Sequence, residues 1–185
     1  MILYHGTLDK YAHDICENGI NLNKSKPLLD FGKGFYTTNE IKFSLRTARY
    51  RANKNNIFKN QYAKPAVVIL KINNSQCKNF KIKKFDCANE QWAKFIINNR
   101  CKRECIKKKK LINHNHDSKY DIVIGPTADG NITNIMYELG KGAYRIKKGI
   151  YKEFLTDEGK DLGKQISFHT KEVISCIEIL KYVII

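Results

Sequence analysis

Residues 30–38 read DFGKGFYTT, and the rest of the chain is best interpreted outward from them. Two glycines flank Lys33, and Tyr36 follows Gly34 by two positions, where a short strand should open. Glycine allows a backbone to turn tightly or to pass close to another group. Phe35 and Tyr36 fall on opposite faces of the predicted strand, so one can enter a core while the other faces a pocket. Thr38 or Asn39 can cap the helix predicted by EIKFSLRTARYRANK (40–54). Arg46, Arg49 and Arg51 make that helix basic.

Upstream, MILYH (1–5) reads as a short buried strand. LDKYAHDICENGI follows, with Leu8, Tyr11, Ala12, Ile15 and Cys16 at helical spacing and Gly19 as the stop. Residues 20–33 read as a loop. Downstream, PAVVILKIN (65–73) is the most apolar strand, and KNFKIKKF (78–85) alternates as a half-exposed one. CANEQWAKFIINN (87–99) is an amphipathic helix. RCKRECIKKKK (100–110) is a charge run, read as a solvated loop or helix end. KYDIVIGP (119–126) is a buried strand stopped by Gly125 and Pro126. NITNIMYELGKG (131–142) predicts a short helix, and residues 143–163 are ambiguous, broken by Gly149, Gly159 and Gly163. KQISFHT (164–170) is a strand, and KEVISCIEILKYVII predicts a short helix turning into a final strand.

Strands and helices do not alternate strictly, which argues against a doubly wound parallel sheet. The pattern predicts an α+β fold with small, mainly antiparallel sheets and flanking helices. The chain has 185 residues, 42% of them hydrophobic, with no repeat and no linker, so residues 1–185 are expected to form a single domain.

The net charge of +16 attracts polyanions: nucleic acid, nucleotides or acidic protein surfaces. The lysines are spread along the chain, and simple solubilisation is the alternative. The start, MILYHGT, has neither a basic segment nor a long apolar one, and no run approaches the ~20 apolar residues of a membrane helix. A cytoplasmic location with reduced thiols and no membrane partner is expected. Cys101 and Cys105 precede His114 and His116, but the short spacer and the His-x-His pair suit zinc poorly, so no metal is expected. Glu90 of NEQW reads as a helix-start acid favoured by the helix dipole, with Trp92 in the core; contact with a target is the alternative.

Three pieces place polar groups at strand positions where a core prefers apolar ones: YHGT (4–7), GKGFYTT (32–38) and KQISFHT (164–170). Singly, each is ordinary. His5 could be a satisfied histidine at a strand end, Tyr36 a packing residue and Gln165 a surface residue. In this order and spacing they resemble the ADP-ribosyltransferase superfamily, in the histidine–tyrosine–acid branch that includes diphtheria-type toxins and the poly(ADP-ribose) polymerases. His5-Gly6 matches the first motif, Gly34-Phe35-Tyr36-Thr37-Thr38 the second, and Gln165 the third, where Glu, Asp or Gln opens a strand. Ser44 stands where a small hydroxyl residue often follows the tyrosine by eight positions. YHGT, LDFGKGFYTT, NEQW, YDIVIGP and QISFHT together resemble a bacterial family of the same superfamily, often associated with toxin–antitoxin pairs or anti-phage defence.

The resemblance implies a split β-sheet core and a mono-ADP-ribosyltransferase of the glycosyltransferase class. NAD would be the substrate, with ADP-ribose transferred to a protein or nucleic acid, and an antitoxin protein would be a possible partner. An NAD glycohydrolase and a non-catalytic basic nucleic-acid- or protein-binding module are the alternatives. Cleaving the nicotinamide–ribose bond builds positive charge on the ribose, as in glycoside cleavage. The catalytic residues implied are His5, Tyr36 and Gln165. His5 would hold the adenine-side ribose, the Gly6 backbone the nicotinamide amide, and Tyr36 would stack on the nicotinamide ring. Ser44 would donate to the same amide, and Gln165 would bind the nicotinamide ribose and orient the nucleophile. Gly34 would let the backbone pass close to the flat ring, and Lys33, Arg46 and Arg49 would meet the pyrophosphate or an acidic target, a solvated basic face being the alternative for each arginine. Two departures stand out. Gln165 is neutral and cannot act as a general base, which suits a single transfer or marks lost activity. Thr47 replaces a second tyrosine, leaving Phe43 or Tyr50 to cover the other ring face. His169, four positions after Gln165, is an outside candidate.

Overall fold

The computed structural model describes residues 1–59, 62–73, 76–101, 107, 110, 112–128 and 163–185. The helix expected at 131–142, nearly all of the ambiguous stretch after it, Cys105 and most of the 100–110 charge run lie outside the described residues.

Seven strands and four helices are described. In order they are β1 (Ile2–Leu8), α1 (Asp9–Asn18), β2 (Phe35–Thr37), α2 (Ile41–Lys59), β3 (Pro65–Ile72), β4 (Ile82–Lys84), α3 (Glu90–Arg100), β5 (Ile122–Pro126), β6 (Lys164–Phe168), α4 (Lys171–Ile174) and β7 (Ile177–Ile184). Local signals explain many boundaries. Gly19, at φ 78°, ends α1 by donating its N–H to the Ile15 carbonyl. Asn89 caps α3 by accepting the Trp92 N–H. The Thr38 hydroxyl accepts the Glu40 N–H just before α2. Several elements differ from expectation: β1 runs on from the expected 1–5 to Leu8, which leaves α1 to start at Asp9, and β5 starts only at Ile122. α2 runs on to Lys59, and the half-exposed strand shrinks to β4 because a 3-10 turn takes up Gln76–Asn79.

The described residues form an α+β fold with two mainly antiparallel sheets. One has the order β1-β3-β7; the other has the order β2-β6-β5-β4, with β4 and β5 parallel. β3 lies between two partners, which accounts for its nearly continuous apolar run. One core cluster gathers Leu3, Val68, Leu70, Ile166, Phe168 and Val173, and Phe35 joins it. A second gathers Phe31, Phe85, Trp92, Phe95 and Val123, with Tyr36 packed against it. Phe35 and Tyr36 therefore do serve opposite faces. Trp92 is fully buried and donates its indole N–H to the Pro126 carbonyl, while Glu90 is exposed and pairs with Lys94 at 2.7 Å. Among the described residues, no helix is long and apolar enough to cross a membrane.

Among the described residues, one isolated backbone bridge links the two sheets. Tyr4 and Thr38 exchange backbone hydrogen bonds of 2.8 and 3.0 Å. A continued antiparallel ladder would set Gly6 opposite Tyr36, but β1 stays with β3 (Gly6 opposite Val67) and β2 stays with β6 (Tyr36 opposite Ser167). The strands part like a wedge. Because backbone groups alternate along a strand, the Gly6 N–H and C=O face the same edge as those of Tyr4, into the opening.

Candidate functional site

A cavity of about 170 Å³ fills this wedge. His5 and Gly6 of β1, Tyr36 of β2, Ser44 of α2 and Gln165 of β6 all line it, although the last lies far along the chain from the others.

His5 spans the gap between the strands. Its Nδ1 lies 2.6 Å from the Tyr36 carbonyl, and its ring packs on Phe35 with centroids 4.5 Å apart. A carbonyl only accepts, so Nδ1 carries the proton. Burial lowers the His5 pKa to about 3, helped by the positive charge of Arg51 and opposed by the Tyr36 carbonyl. The imidazole is neutral at ordinary pH, and its Nε2 is an acceptor.

The Tyr36 hydroxyl donates to the Gly32 carbonyl at 2.6 Å and accepts the Phe31 N–H at 2.9 Å. The ring is thereby tied to the turn before β2 and lies nearly parallel to Phe31, 6.4 Å away. Burial, with the Asp30 charge beside it, raises the Tyr36 pKa well above 10. Tyr36 is a fixed aromatic surface here, not an acid or base.

The glycines have packing reasons. The resemblance implies that Gly6 carries no side chain so as to spare a ligand; independently of any ligand, a Cβ there would lie 2.2 Å from the Ser44 carbonyl oxygen, so the close passage of α2 by itself requires glycine. Gly34 was expected to let the backbone approach a flat ligand. A Cβ there would lie 2.6 Å from His169 Nδ1 and 2.7 Å from the Phe168 carbonyl. Gly34 is buried against β6 and its end, Lys33 is exposed, and neither lines the cavity. Gly32, at φ +92°, turns the chain against the Asn115 backbone.

Ser44 is 1% exposed, and its Oγ has no hydrogen-bond partner among the described residues. A buried hydroxyl is ordinarily satisfied, so an unsatisfied one beside a cavity is a place for a ligand's polar group. Phe43 and Thr47 also line the cavity, whereas Tyr50 is 65% exposed. Of the two candidates for the opposing ring surface, Phe43 is the one in place.

The sequence reading missed three charged groups. Arg51, not Arg46 or Arg49, is the α2 arginine that lines the cavity, and it donates to the Gly6 carbonyl at 2.8 Å. Arg100, taken as the start of a solvated run, ends α3 and reaches Asp30. Asp30 is 7% exposed, lines the cavity and accepts from the Gln165 side-chain amide at 3.1 Å. Asp30 stands in DFGKGFYTT, yet nothing local marks it as a site residue.

His169 lies just beyond β6 and is 5% exposed. Its Nδ1 meets the Lys33 carbonyl at 2.9 Å and its Nε2 meets Ser167 Oγ at 2.8 Å. Burial lowers its pKa to about 4. It braces the turn behind Tyr36 and does not line the cavity. Among the described residues, no group of His, Cys, Asp and Glu side chains is arranged to hold a metal.

No curated protein and no solved structure gives a significant match to the chain. A single family model matches residues 1–179, so the chain belongs to the family described as "Protein of unknown function (DUF3990)".

Proposed function

We propose that the wedge between the two sheets binds the nicotinamide half of NAD, and that the protein is a mono-ADP-ribosyltransferase of toxin type. The observation that carries this reading is the meeting of His5, Gly6, Tyr36, Ser44 and Gln165 around one cavity. The residue types suit the ligand. Tyr36 and Phe43 supply aromatic surface for a flat ring. The Gly6 backbone faces the opening, and the unpartnered Ser44 Oγ offers a hydrogen bond to a carboxamide. The cavity is smaller than the roughly 300–1,000 Å³ of drug-sized pockets, so a dinucleotide would place only one end in it. Arg51 is a cation for the pyrophosphate, in place of Lys33, Arg46 and Arg49.

The reaction breaks the C–N bond between ribose and nicotinamide and joins the ribose carbon to an acceptor oxygen or nitrogen, which loses a proton. The chain's own contribution is to clamp, orient and exclude water. His5 offers a neutral Nε2 acceptor to a ribose hydroxyl, and Gln165 offers its amide to the other ribose. The acceptor is a macromolecule, protein or nucleic acid, and the basic surface suits a polyanion. A toxin–antitoxin or phage-defence setting goes with this activity.

Incubating the protein with labelled NAD and cell lysate, then separating protein from nucleic acid, tests the reading. Label in either fraction supports transfer. Free ADP-ribose with no labelled macromolecule means hydrolysis instead. Intact NAD, with salt-sensitive nucleic-acid binding that Tyr36→Ala leaves unchanged, means a binding module. Expression should arrest growth, and Tyr36→Ala should relieve the arrest.

A further inference from the structure

The chemistry of Gln165 is ambiguous by residue type, because an amide can present a donor or an acceptor. Its surroundings remove the ambiguity. Both guanidinium contacts from Arg100, Nε at 2.7 Å and Nη2 at 2.5 Å, go to Asp30 Oδ1. Asp30 Oδ2 is left to Gln165 Nε2, at 3.1 Å. With the Arg100 guanidinium donating to one oxygen, the carboxylate offers the other to the amide as an acceptor. The amide must then turn its NH₂ toward Asp30 and its carbonyl oxygen away from it.

Asp30 is itself held firmly. The Gly32 N–H closes the turn onto the Leu29 carbonyl at 3.0 Å. The Tyr36 hydroxyl clasps Phe31 and Gly32 immediately after it. Phe31 is fully buried in the core against α3, the helix that also carries Arg100. The turn, the helix and β6 thus converge on one carboxylate.

We propose that Asp30 is the positioning residue of this site: its carboxylate orients the Gln165 amide so that an acceptor oxygen faces the cavity and takes a ribose hydroxyl of the substrate. This rests on the proposed function and deepens it. The carboxylate that the neutral Gln165 lacks is supplied 135 residues earlier in the chain. Its charge is shared with Arg100, and it acts through Gln165.

The test exchanges the two groups. In Asp30→Asn the new amide can donate to Gln165, free the amide to flip and present NH₂ to the cavity. Turnover of NAD should fall on the order of 100-fold, as misorientation at a reacting centre does, with KM little changed. In Gln165→Glu two carboxylates face each other and share a proton, so turnover should fall and its pH profile should gain a further titration from that shared proton. The double variant Asp30→Asn with Gln165→Glu restores a donor opposite an acceptor and should recover most of the turnover. If Asp30 merely anchors Arg100, the double variant will be as impaired as Asp30→Asn, and the inference falls. If Asp30→Asn does not fold, Gln165→Glu alone decides: wild-type turnover with an unchanged pH profile overturns the inference. A readout without NAD separates this from the proposed function. The Gln165 side-chain amide resonances in ¹⁵N-edited spectra should move in Asp30→Asn. Unmoved resonances overturn the orientation, whatever NAD does. Moved resonances in a protein that ignores NAD keep the orientation and overturn the proposed function.

Discussion

His5 Nδ1 lies 2.6 Å from the carbonyl oxygen of Tyr36, so a side chain of one sheet closes a gap that the backbone of the other leaves open. The ladder between β1 and β2 stops at Tyr4 and Thr38, and the next link along the wedge is this imidazole. His5→Ala should remove the link and an acceptor together, lowering NAD use at least tenfold while circular dichroism stays native. His5→Asn, which can still donate to a carbonyl, should keep more stability than His5→Ala. Losing one such hydrogen bond costs about 1 kcal/mol. Equal urea midpoints for the two variants would deny the bond a structural role.

Ser44→Ala should separate binding from stability. The Ser44 Oγ is buried without a partner, so removing it should leave thermal stability unchanged or slightly higher. If the hydroxyl serves a ligand, the same change should weaken NAD binding by about 1 kcal/mol, several-fold in Kd. Calorimetry of binding and of unfolding on the same sample checks both. Lower stability with unchanged affinity would remove Ser44 from the site.

Gly6→Ala should fail as a packing change before any effect on chemistry. Its Cβ would lie 2.2 Å from the Ser44 carbonyl oxygen, a backbone atom that α2 cannot readily move. Overpacking costs about 1–3 kcal/mol, and a clash with a helix backbone atom belongs at the upper end. A clear drop in melting temperature without ligand is expected. A variant as stable as the wild type would return Gly6 to the ligand explanation.

Acid should destabilise the protein through two histidines. Burial holds His5 at about 3 and His169 at about 4, both below the ordinary value of 6.5. Between those values and 6.5 the unfolded chain binds the protons and the folded chain does not. Their contribution is complete above pH 6.5 and is lost as pH falls toward 4 and then 3. Each can contribute a slope of at most about 1.4 kcal/mol per pH unit. Urea unfolding across this window, with His5→Gln and His169→Gln alongside, should show each variant flattening the slope. Parallel curves for variant and wild type would mean that neither ring is protected from protons.

The elements were legible where their signals are local. Gly19 stops α1, Asn89 caps α3, and the Val67–Leu70 run marks a strand with partners on both sides, because a cap, a stop and an apolar run each depend on a few neighbouring residues. β4 is shorter than expected for the same reason: alternation in KNFKIKKF says nothing of the 3-10 turn that takes its first two residues. His5, Gly6, Tyr36, Ser44 and Gln165 could be proposed as one site only through the family resemblance that their motifs carry, and the fold brings them around one cavity.

What the sequence by itself determined was the periodic pattern of each element, the α+β class and the identity of the polar groups placed at strand positions. Tertiary structure alone decided what those groups touch. Gly6 is glycine because α2 passes over it, Gly34 because His169 packs there, and Arg51 rather than Arg46 or Arg49 lines the cavity. Gln165 meets Asp30, and Asp30 meets Arg100, across separations of 135 and 70 residues. The physical reason is that periodicity and capping act over a turn or two of chain. Orientation of an amide and pairing of a buried charge depend on which surfaces the packed sheets and helices bring within about 3 Å, the reach of a hydrogen bond.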